Sequence, residues 1–257
     1  MDFVFIGIVA SLGSGLTFFS GFGLGTLLMP VFALFFPIDI AIALTAIVHL
    51  LNNLFKLVLI GKKANLKTVF RFGLPAVLFA FLGAYLLGTL TDIQPLYTYR
   101  VSDKEYQITA VKICIATLLI FFSFFDLIPK LKRLEINTKY LPLGGALSGF
   151  FGGLSGHQGA LRTAFLIRAQ LSKEAFIATG VSIACFIDVS RISIYAKDLW
   201  QLRNSLNYPM LVTASVMAFI GAYFGNKFLK KITINTIQVV VGILLIVFAI
   251  LLGIGII

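Results

Sequence analysis

The stretch of the chain with the most chemistry is GGLSGHQGALR, residues 152–162. It combines a serine, a histidine, a glutamine and an arginine with four glycines. The polar side chains can donate hydrogen bonds to an anion, and a serine close to a histidine can also form the nucleophile and base of a hydrolase. Five residues of the stretch are candidates for a binding site: Ser155, Gly156, His157, Gln158 and Arg162.

The surrounding sequence is apolar enough to lie in a lipid bilayer. Of the 257 residues, 59% are hydrophobic and only 12% are charged, whereas soluble domains are about one quarter charged. Residues 72–91, 204–226 and 232–257 contain no charged residue, and each reaches the ~20 residues that a spanning helix needs. The chain is therefore predicted to be an all-α, multi-pass membrane protein. No basic region or small-residue cleavage site marks the first apolar segment, so we expect it to be retained.

Charge and cysteine content exclude several classes of function. The net charge of +11 indicates basic cytoplasmic loops rather than nucleic-acid binding, because membrane proteins concentrate Lys and Arg there. Cys114 and Cys185 lie far apart in apolar segments, so neither a disulfide framework nor a metal site is expected. No cofactor is expected either.

The chain repeats itself at an offset of about 135 residues. In each half a Gly-rich apolar stretch is followed by one acidic residue and an apolar helix. This similarity predicts two repeats, residues 1–128 and 140–257, joined by a basic linker at 129–139 within one membrane domain. The corresponding pairs are Ser20-Gly21 with Ser155-Gly156, Asn53 with Asp188, and Lys56 with Arg191.

Each repeat is predicted to contain a Gly-rich broken or re-entrant helical hairpin followed by three spanning helices. Residues 3–38 are uncharged and too numerous for one simple span, yet they carry a glycine cluster near their middle. The spanning helices are expected at about 40–60, 70–91, 107–128, 174–196, 205–227 and 232–257.

The distribution of basic residues favours inverted repeats. If both Gly-rich elements enter the membrane and return, the loops on one side carry thirteen Lys and Arg and those on the other carry four. If each element crosses once, the split is ten to seven. Because Lys and Arg concentrate on the cytoplasmic side, the first arrangement is preferred, with both termini outside. The two hairpins then meet near the midplane, where transporters built from inverted repeats bind their substrates.

A polar stripe on the first spanning helix adds to this site. His49, Asn52, Asn53 and Lys56 are spaced i, i+3, i+4, i+7, which is typical of a helix face turned to a polar interior. We expect Asn52 and Asn53 to line the cavity. His49 or His157 is expected to carry a coupled proton, since histidine titrates nearest to neutral pH.

Two further sets of residues bear on this site. Asp188 and Arg191, spaced i, i+3 on the corresponding helix of the second repeat, are expected either to pair with each other or to line the polar interior. The tip of the first Gly-rich element contributes the remaining candidates for substrate binding: Ser20, Gly21, Gly23 and Gly25.

Three functions from different classes fit these residues: a transporter for small anions, an anion channel, or an intramembrane serine protease. The motif Gly153-Leu154-Ser155-Gly156 resembles the GxSG of rhomboid proteases, and His49 with Asn53 matches an HxxxN pair of those enzymes. Rhomboids take their base from a histidine on a later helix, and no histidine follows His157. The transporter is therefore preferred, and no enzymatic activity is expected.

Over essentially its whole length the chain resembles the TauE/SafE family of bacterial and archaeal sulfite exporters. The resemblance rests on SGFGLGTLLMP, on GGALSGFFGGLSGHQGALR, and on the helix sequences AIALTAIV and AFIATGVSIA. It implies a prokaryotic inner-membrane protein that exports sulfite, sulfoacetate or other organosulfonates, driven by the proton gradient. The implied partners are a small anion, a proton and the lipid bilayer. Rocking of one repeat against the other would provide alternating access.

Overall fold

The computed structural model describes residues 2–16, 24–132, 134–201, 203, 207–227 and 235–257. Apart from one β-hairpin, its regular structure is helical. In chain order the elements are α1 (Asp2–Leu16), α2 (Leu24–Ala33), α3 (Ile38–Ile60), α4 (Leu66–Thr91), β1 (Tyr97–Val101), β2 (Lys104–Ile108), α5 (Ala110–Leu127), α6 (Pro129–Lys132), α7 (Leu141–Ser155), α8 (Gly159–Leu166), α9 (Lys173–Gln201), α10 (Tyr208–Lys227) and α11 (Asn235–Gly253).

Four helices of the described chain are long and apolar enough to cross a membrane: Ile38–Lys63, Leu66–Thr91, Lys173–Lys197 and Tyr208–Lys227. The shorter α1, α2, α5 and α11 are also apolar. Large aliphatic side chains such as Val58 and Leu78 project outward from the bundle, with 84% and 68% of their surface exposed. Such a surface suits lipid tails rather than water, and the expected polytopic, helical membrane protein is confirmed.

The loop between α4 and α5 contains a β-hairpin that the sequence analysis did not predict. β1 pairs antiparallel with β2, and Tyr99 stacks on Tyr106 with ring centroids 5.4 Å apart. The Tyr99 hydroxyl donates to the carbonyl oxygen of Ile254 at 2.6 Å, which ties the hairpin to the end of α11. The helix expected from residue 107 begins only at Ala110, because Thr109 caps it by accepting a hydrogen bond from Lys112 N.

Helices α4 and α7 pack backbone to backbone through small residues. A Cβ atom on Gly149 would lie 2.1 Å from the carbonyl oxygen of Ala76, and one on Gly83 would lie 2.0 Å from that of Phe150. Only glycine permits so close an approach, and such contacts are a principal means by which helices associate in lipid.

Helices α1 and α10 make the corresponding contact between the two halves of the chain. A Cβ atom on Gly221 would lie 2.0 Å from the carbonyl oxygen of Ser11. Thus α4 of the first half packs against α7 of the second, while α10 of the second half packs against α1 of the first.

The contacts also give the relative directions of the helices. Gly144 at the start of α7 faces Phe165 at the end of α8, so these two helices run antiparallel. In α3 and α9, His49 lies beside Asp188 whereas Asn65, just beyond α3, lies beside Thr179, so α3 and α9 also run antiparallel. Helices α5 and α11 are antiparallel in the same way.

Substitution of alanine for Gly83 is expected to destabilise the protein. The added Cβ atom would overlap the backbone of α7, and overpacking of this kind costs about 1–3 kcal/mol. We expect a lower apparent melting temperature in detergent. Gly88→Ala on the same helix is the control: its Cβ atom would meet nothing within 4 Å, so the melting temperature should not fall. Equal melting temperatures for the two variants would contradict the close α4–α7 contact.

Candidate functional site

The centre of the molecule is built around the carboxylate of Asp188 on α9, which is 0% exposed. Arg191, one turn further along α9, donates to Asp188 Oδ1 from Nε at 3.0 Å and from Nη2 at 2.7 Å. His49 on α3 donates from Nδ1 to Oδ2 at 2.6 Å. The expected Asp188–Arg191 pair is present, and it is joined by a histidine from the other half of the chain.

Two amides extend this network to further elements. Asn53, one turn after His49 on α3, donates to Asp188 Oδ2 at 3.4 Å. Gln158, between α7 and α8, donates to Asp188 Oδ1 at 3.2 Å and accepts from Arg162 Nη1 at 3.0 Å. The single carboxylate therefore connects α3, α9 and the break between α7 and α8, and a buried charge requires such partners in a medium of low dielectric.

The break between α7 and α8 supplies backbone groups to the same centre. Gly156 ends α7 with φ +82°, and a Cβ atom there would lie 3.0 Å from Arg191 Nη1. Arg191 Nη1 also donates to the carbonyl oxygen of Gly152 at 3.3 Å, and the hydroxyl of Ser148 donates to that of Gln158 at 2.9 Å. A left-handed residue beside a guanidinium explains why glycine occupies position 156.

Two polar atoms at this junction have no hydrogen-bond partner within the described structure: Nε2 of His157 and Oγ1 of Thr45. Both side chains are buried. The His157 ring stacks on Phe122, with centroids 5.5 Å apart, and its Nδ1 lies 3.1 Å from the carbonyl oxygen of Ser155. Buried polar atoms without partners are rare in proteins, and a ligand is one of the groups that satisfies them.

Gly25, near the start of α2, lies close to the Thr45 side chain and to the backbone that precedes His157. A Cβ atom on Gly25 would lie 3.5 Å from Cγ2 of Thr45, 3.8 Å from the carbonyl oxygen of Gly156 and 4.0 Å from the His49 ring. His157 follows Gly156 directly. The start of α2, the middle of α3 and the break between α7 and α8 thus converge.

A second polar group lies further along α3. The amide of Asn52 is 2.8 Å from the hydroxyl of Ser14 on α1. With the amide nitrogen donating to the carbonyl oxygen of Ala218 on α10 at 3.1 Å, the amide oxygen accepts from Lys56 Nζ at 3.2 Å. Asn52 thus joins α1, α3 and α10 rather than facing the Asp188 network.

The structure brings together most of the residues that the sequence analysis predicted for the binding site, but not all of them are free to bind a substrate. The side chain of Ser155 donates to the carbonyl oxygen of Phe151 within α7, and the amide of Gln158 bonds to Asp188 and Arg162. Ser20, Gly21 and Gly23 lie outside the described residues. Among the described residues no group of three histidine, cysteine, aspartate or glutamate side chains is placed to hold a metal ion.

Sequence reasoning missed Thr45 and Tyr195 and left Asp188 and Arg191 out of the site. Thr45 precedes His49 by four residues, so it extends the polar stripe of α3 by one turn. Tyr195 likewise follows Arg191 by four residues, and its hydroxyl donates to the carbonyl oxygen of Gly153. Both could have been found by continuing each polar stripe along its helix.

The comparison with protein families decides the affiliation of this chain. The family model described as "Sulfite exporter TauE/SafE" matches residues 3–252. The chain belongs to the TauE/SafE family. No curated protein and no solved structure matches it. As a TauE/SafE protein it is a multi-pass membrane protein of a transporter family, and the resemblance inferred from its Gly-rich motifs is confirmed.

Removal of either partner of the Asp188–Arg191 pair is expected to be strongly destabilising. Asp188→Asn leaves the buried guanidinium without its carboxylate, and Arg191→Gln leaves the buried carboxylate without its guanidinium, each at a cost of about 3–5 kcal/mol. The double variant should lose much less than the sum of the two, as measured by apparent melting temperature in detergent.

The matched control is the ion pair of Arg168 Nε with Glu135 Oε2, whose side chains are 55% and 45% exposed. Arg168→Gln should change stability by less than about 1 kcal/mol, because water already solvates both groups. Additive losses for Asp188→Asn and Arg191→Gln would show that the two residues are not energetically coupled.

Proposed function

We propose that this TauE/SafE protein is a secondary transporter that exports small sulfur oxyanions, such as sulfite, sulfoacetate or other organosulfonates. The observation that carries the proposal is an excess of positive charge inside the membrane domain. Lys56 and Arg191 are buried and Arg162 bonds to Gln158 beside them, whereas Asp188 is the one buried carboxylate among the described residues. In a medium of low dielectric, an anion bound at the centre offsets this excess of positive charge far better than counterions in the surrounding water do.

The proposed binding position is the junction of Gly25, Thr45 and His157. The Thr45 hydroxyl and His157 Nε2 have no partner there among the described groups, and both can donate to oxyanion oxygens. Arg191 lies against Gly156 at the same junction and supplies charge. Helix α8 begins just beyond it, and the N-terminus of a helix favours anions. The tip of the first Gly-rich element is proposed to complete the site with Ser20, Gly21 and Gly23. Gln158 is proposed to position the guanidinium group of Arg162.

Two inverted repeats, residues 1–128 and 140–257, are proposed to provide alternating access. Equivalent helices of inverted repeats run in opposite directions, and the antiparallel pairs α3 with α9 and α5 with α11 support this relation. The antiparallel α7 and α8 support a re-entrant hairpin, and the reciprocal α4–α7 and α1–α10 contacts support a two-fold relation. The side with thirteen Lys and Arg in its loops then faces the cytoplasm of a prokaryotic cell.

His157 is the proposed link between proton and anion. The Ser155 hydroxyl donates to Phe151, so His157 Nδ1–H is left to donate to the Ser155 carbonyl oxygen. Nε2 can then donate to an anion only when the imidazole is protonated, and proton and anion bind together. His49 is assigned a different role: bonded to Asp188, it holds α3 against α9.

Thr45→Val and His157→Gln are expected to impair transport in proteoliposomes. Thr45→Val removes a hydroxyl donor and His157→Gln replaces the charged imidazolium donor with a neutral amide, so each loses a hydrogen bond or its charge assistance. Such a bond to a charged ligand is worth about 1.5–3 kcal/mol, which corresponds to a roughly 10- to 100-fold weaker apparent affinity for sulfite. Thr117→Val on α5 is the control, since the Thr117 hydroxyl is exposed and bonds within its own helix. A carrier is identified by sulfite flux that saturates with sulfite concentration and is accelerated by sulfite on the opposite side of the membrane. Flux that does not saturate would favour the channel. Unchanged affinity in both variants would remove the junction as the binding site.

Anion binding should strengthen as the pH falls, because protonated His157 has a second donor. The measurement is the rise in melting temperature caused by sulfoacetate, whose sulfonate stays ionised in this range. A larger rise at about pH 6 than at about pH 8 is expected, and His157→Gln should abolish the difference. Arg191, the charged neighbour of His157, is retained in both proteins. A pH dependence that survives in His157→Gln would exclude this histidine as the proton site.

One contact favours the alternative of a serine protease, since His157 Nδ1 lies 3.2 Å from Ser155 Oγ. The Ser155 hydroxyl, however, donates to the Phe151 carbonyl oxygen, and the same Nδ1 lies 3.1 Å from the Ser155 carbonyl oxygen. A catalytic base must take the proton of the nucleophile, and here each group has another partner. Fluorophosphonate labelling that Ser155→Ala abolishes would reinstate the protease.

A further inference from the structure

A cleft of about 510 Å³ opens between α3, α4 and α9 at the end of the bundle that carries the β-hairpin. Asp39, Asp92 and Lys197 stand around it, and Ala43, Gly88 and Tyr195 are among its lining residues. The loops at this end of the bundle lie on the side of the membrane whose loops carry few basic residues. By the charge rule this is the outer face of the membrane.

The cleft ends close to the Asp188 network. Tyr195 is buried, and its hydroxyl donates to the carbonyl oxygen of Gly153 in α7. Arg191 lies four residues earlier on α9, a distance of about 6 Å along the helix axis. Gly152, next to Gly153, accepts a hydrogen bond from Arg191 Nη1. Tyr195 therefore lies between the cleft and the charged centre.

The opposite face of the bundle is held together at the corresponding junction of α3 and α9. The backbone nitrogen of Asn65, in the turn between α3 and α4, donates to the Thr179 hydroxyl at 2.9 Å. Lys56 and Asn52 fill the interior one to two turns away, in contact with each other. An open cleft on one face and a bonded junction on the other is the asymmetry expected of one state of an alternating-access carrier.

We propose that this cleft is the outer half of the anion pathway and that Tyr195 is the gate at its inner end. The inference rests on the proposed transport function. An anion leaving the His157 junction passes the Tyr195 side chain and enters the cleft, where the two carboxylates of Asp39 and Asp92 outweigh the one ammonium group of Lys197 and favour its release. Tyr195 acts by position rather than as a ligand, since its hydroxyl is held by the Gly153 carbonyl oxygen.

Cysteine labelling from the outer face tests the pathway. Gly88 suits the purpose because a Cβ atom there meets nothing within 4 Å. Gly88→Cys is made in a background in which Cys114 and Cys185 are replaced by alanine, and it is treated with a charged, membrane-impermeant methanethiosulfonate. Thr89→Cys, which also lines the cleft, is the second position. Thr98→Cys, on the exposed face of the β-hairpin, is the control for labelling outside the cleft.

We expect labelling of either cleft cysteine to lower sulfoacetate flux at least fivefold relative to the same variant before labelling. Saturating sulfoacetate, which unlike sulfite does not react with thiosulfonates or disulfides, should slow the labelling, whereas labelled Thr98→Cys should transport unchanged. Cleft cysteines that do not react, or that react without loss of flux, would overturn the pathway while saturable transport persists. Absence of any saturable anion flux in the parent protein would instead refute the proposed function, and the pathway with it.

Tyr195→Phe tests the gate separately, because it removes the bond to Gly153 and keeps the ring. We expect the maximal rate of sulfite transport to change at least threefold, while the rise in melting temperature caused by sulfite stays the same. A residue with a merely structural role would lower stability and affinity together. An unchanged maximal rate, or a loss of sulfite binding equal to the loss of rate, would overturn the assignment of Tyr195 as a gate.

Discussion

The carboxylate of Asp188 is the constraint on which the rest of the structure depends. A lone charge in the interior of a membrane protein is costly, so its position dictates what surrounds it. Arg191, His49 and Gln158 all direct hydrogen atoms at its two oxygens. Because these donors come from α3, α9 and the break between α7 and α8, satisfying one carboxylate fixes the relative positions of both halves of the chain.

Close backbone contact provides the second part of the assembly. In lipid the hydrophobic effect does not drive one apolar helix against another, so association depends on packing and on polar contacts. The glycines of α7 and α4 bring two backbones together along their length, and Gly221 does the same for α10 and α1. These rigid contacts surround the polar network, whereas His157 Nε2 and Thr45 Oγ1 at the junction have no partner among the described residues. Rigid support around an unsatisfied site is the arrangement that ligand binding requires.

Much of the architecture could be predicted from the sequence because the bilayer leaves few alternatives. Uncharged runs of sufficient length indicated the spanning helices, and the spacing of His49, Asn53 and Lys56 indicated a polar helix face. The hairpin at Tyr97–Ile108 was missed because its signal is a weak alternation in a polar loop. For the site, the residue types and their approximate depth in the membrane were predictable, but their hydrogen-bond partners were not. That Asn52 joins Ser14 while Asn53 joins Asp188 depends on which helices meet, and one sequence does not contain that information.

Because α4 packs against α7 and α1 packs against α10, each half of the chain depends on a helix of the other half while the protein is being made. Helix α7 emerges from the ribosome when α4 is already complete, so it can dock at once. Helix α1 has to wait for α10, which follows roughly 200 residues later. At about 5–20 residues per second that delay is on the order of 10–40 s. During this interval the glycine-rich face of α1 lies unpaired in the bilayer. The two halves of the fold are therefore alike in packing but differ in the order of their synthesis, and α1 is the helix whose main packing partner is made late.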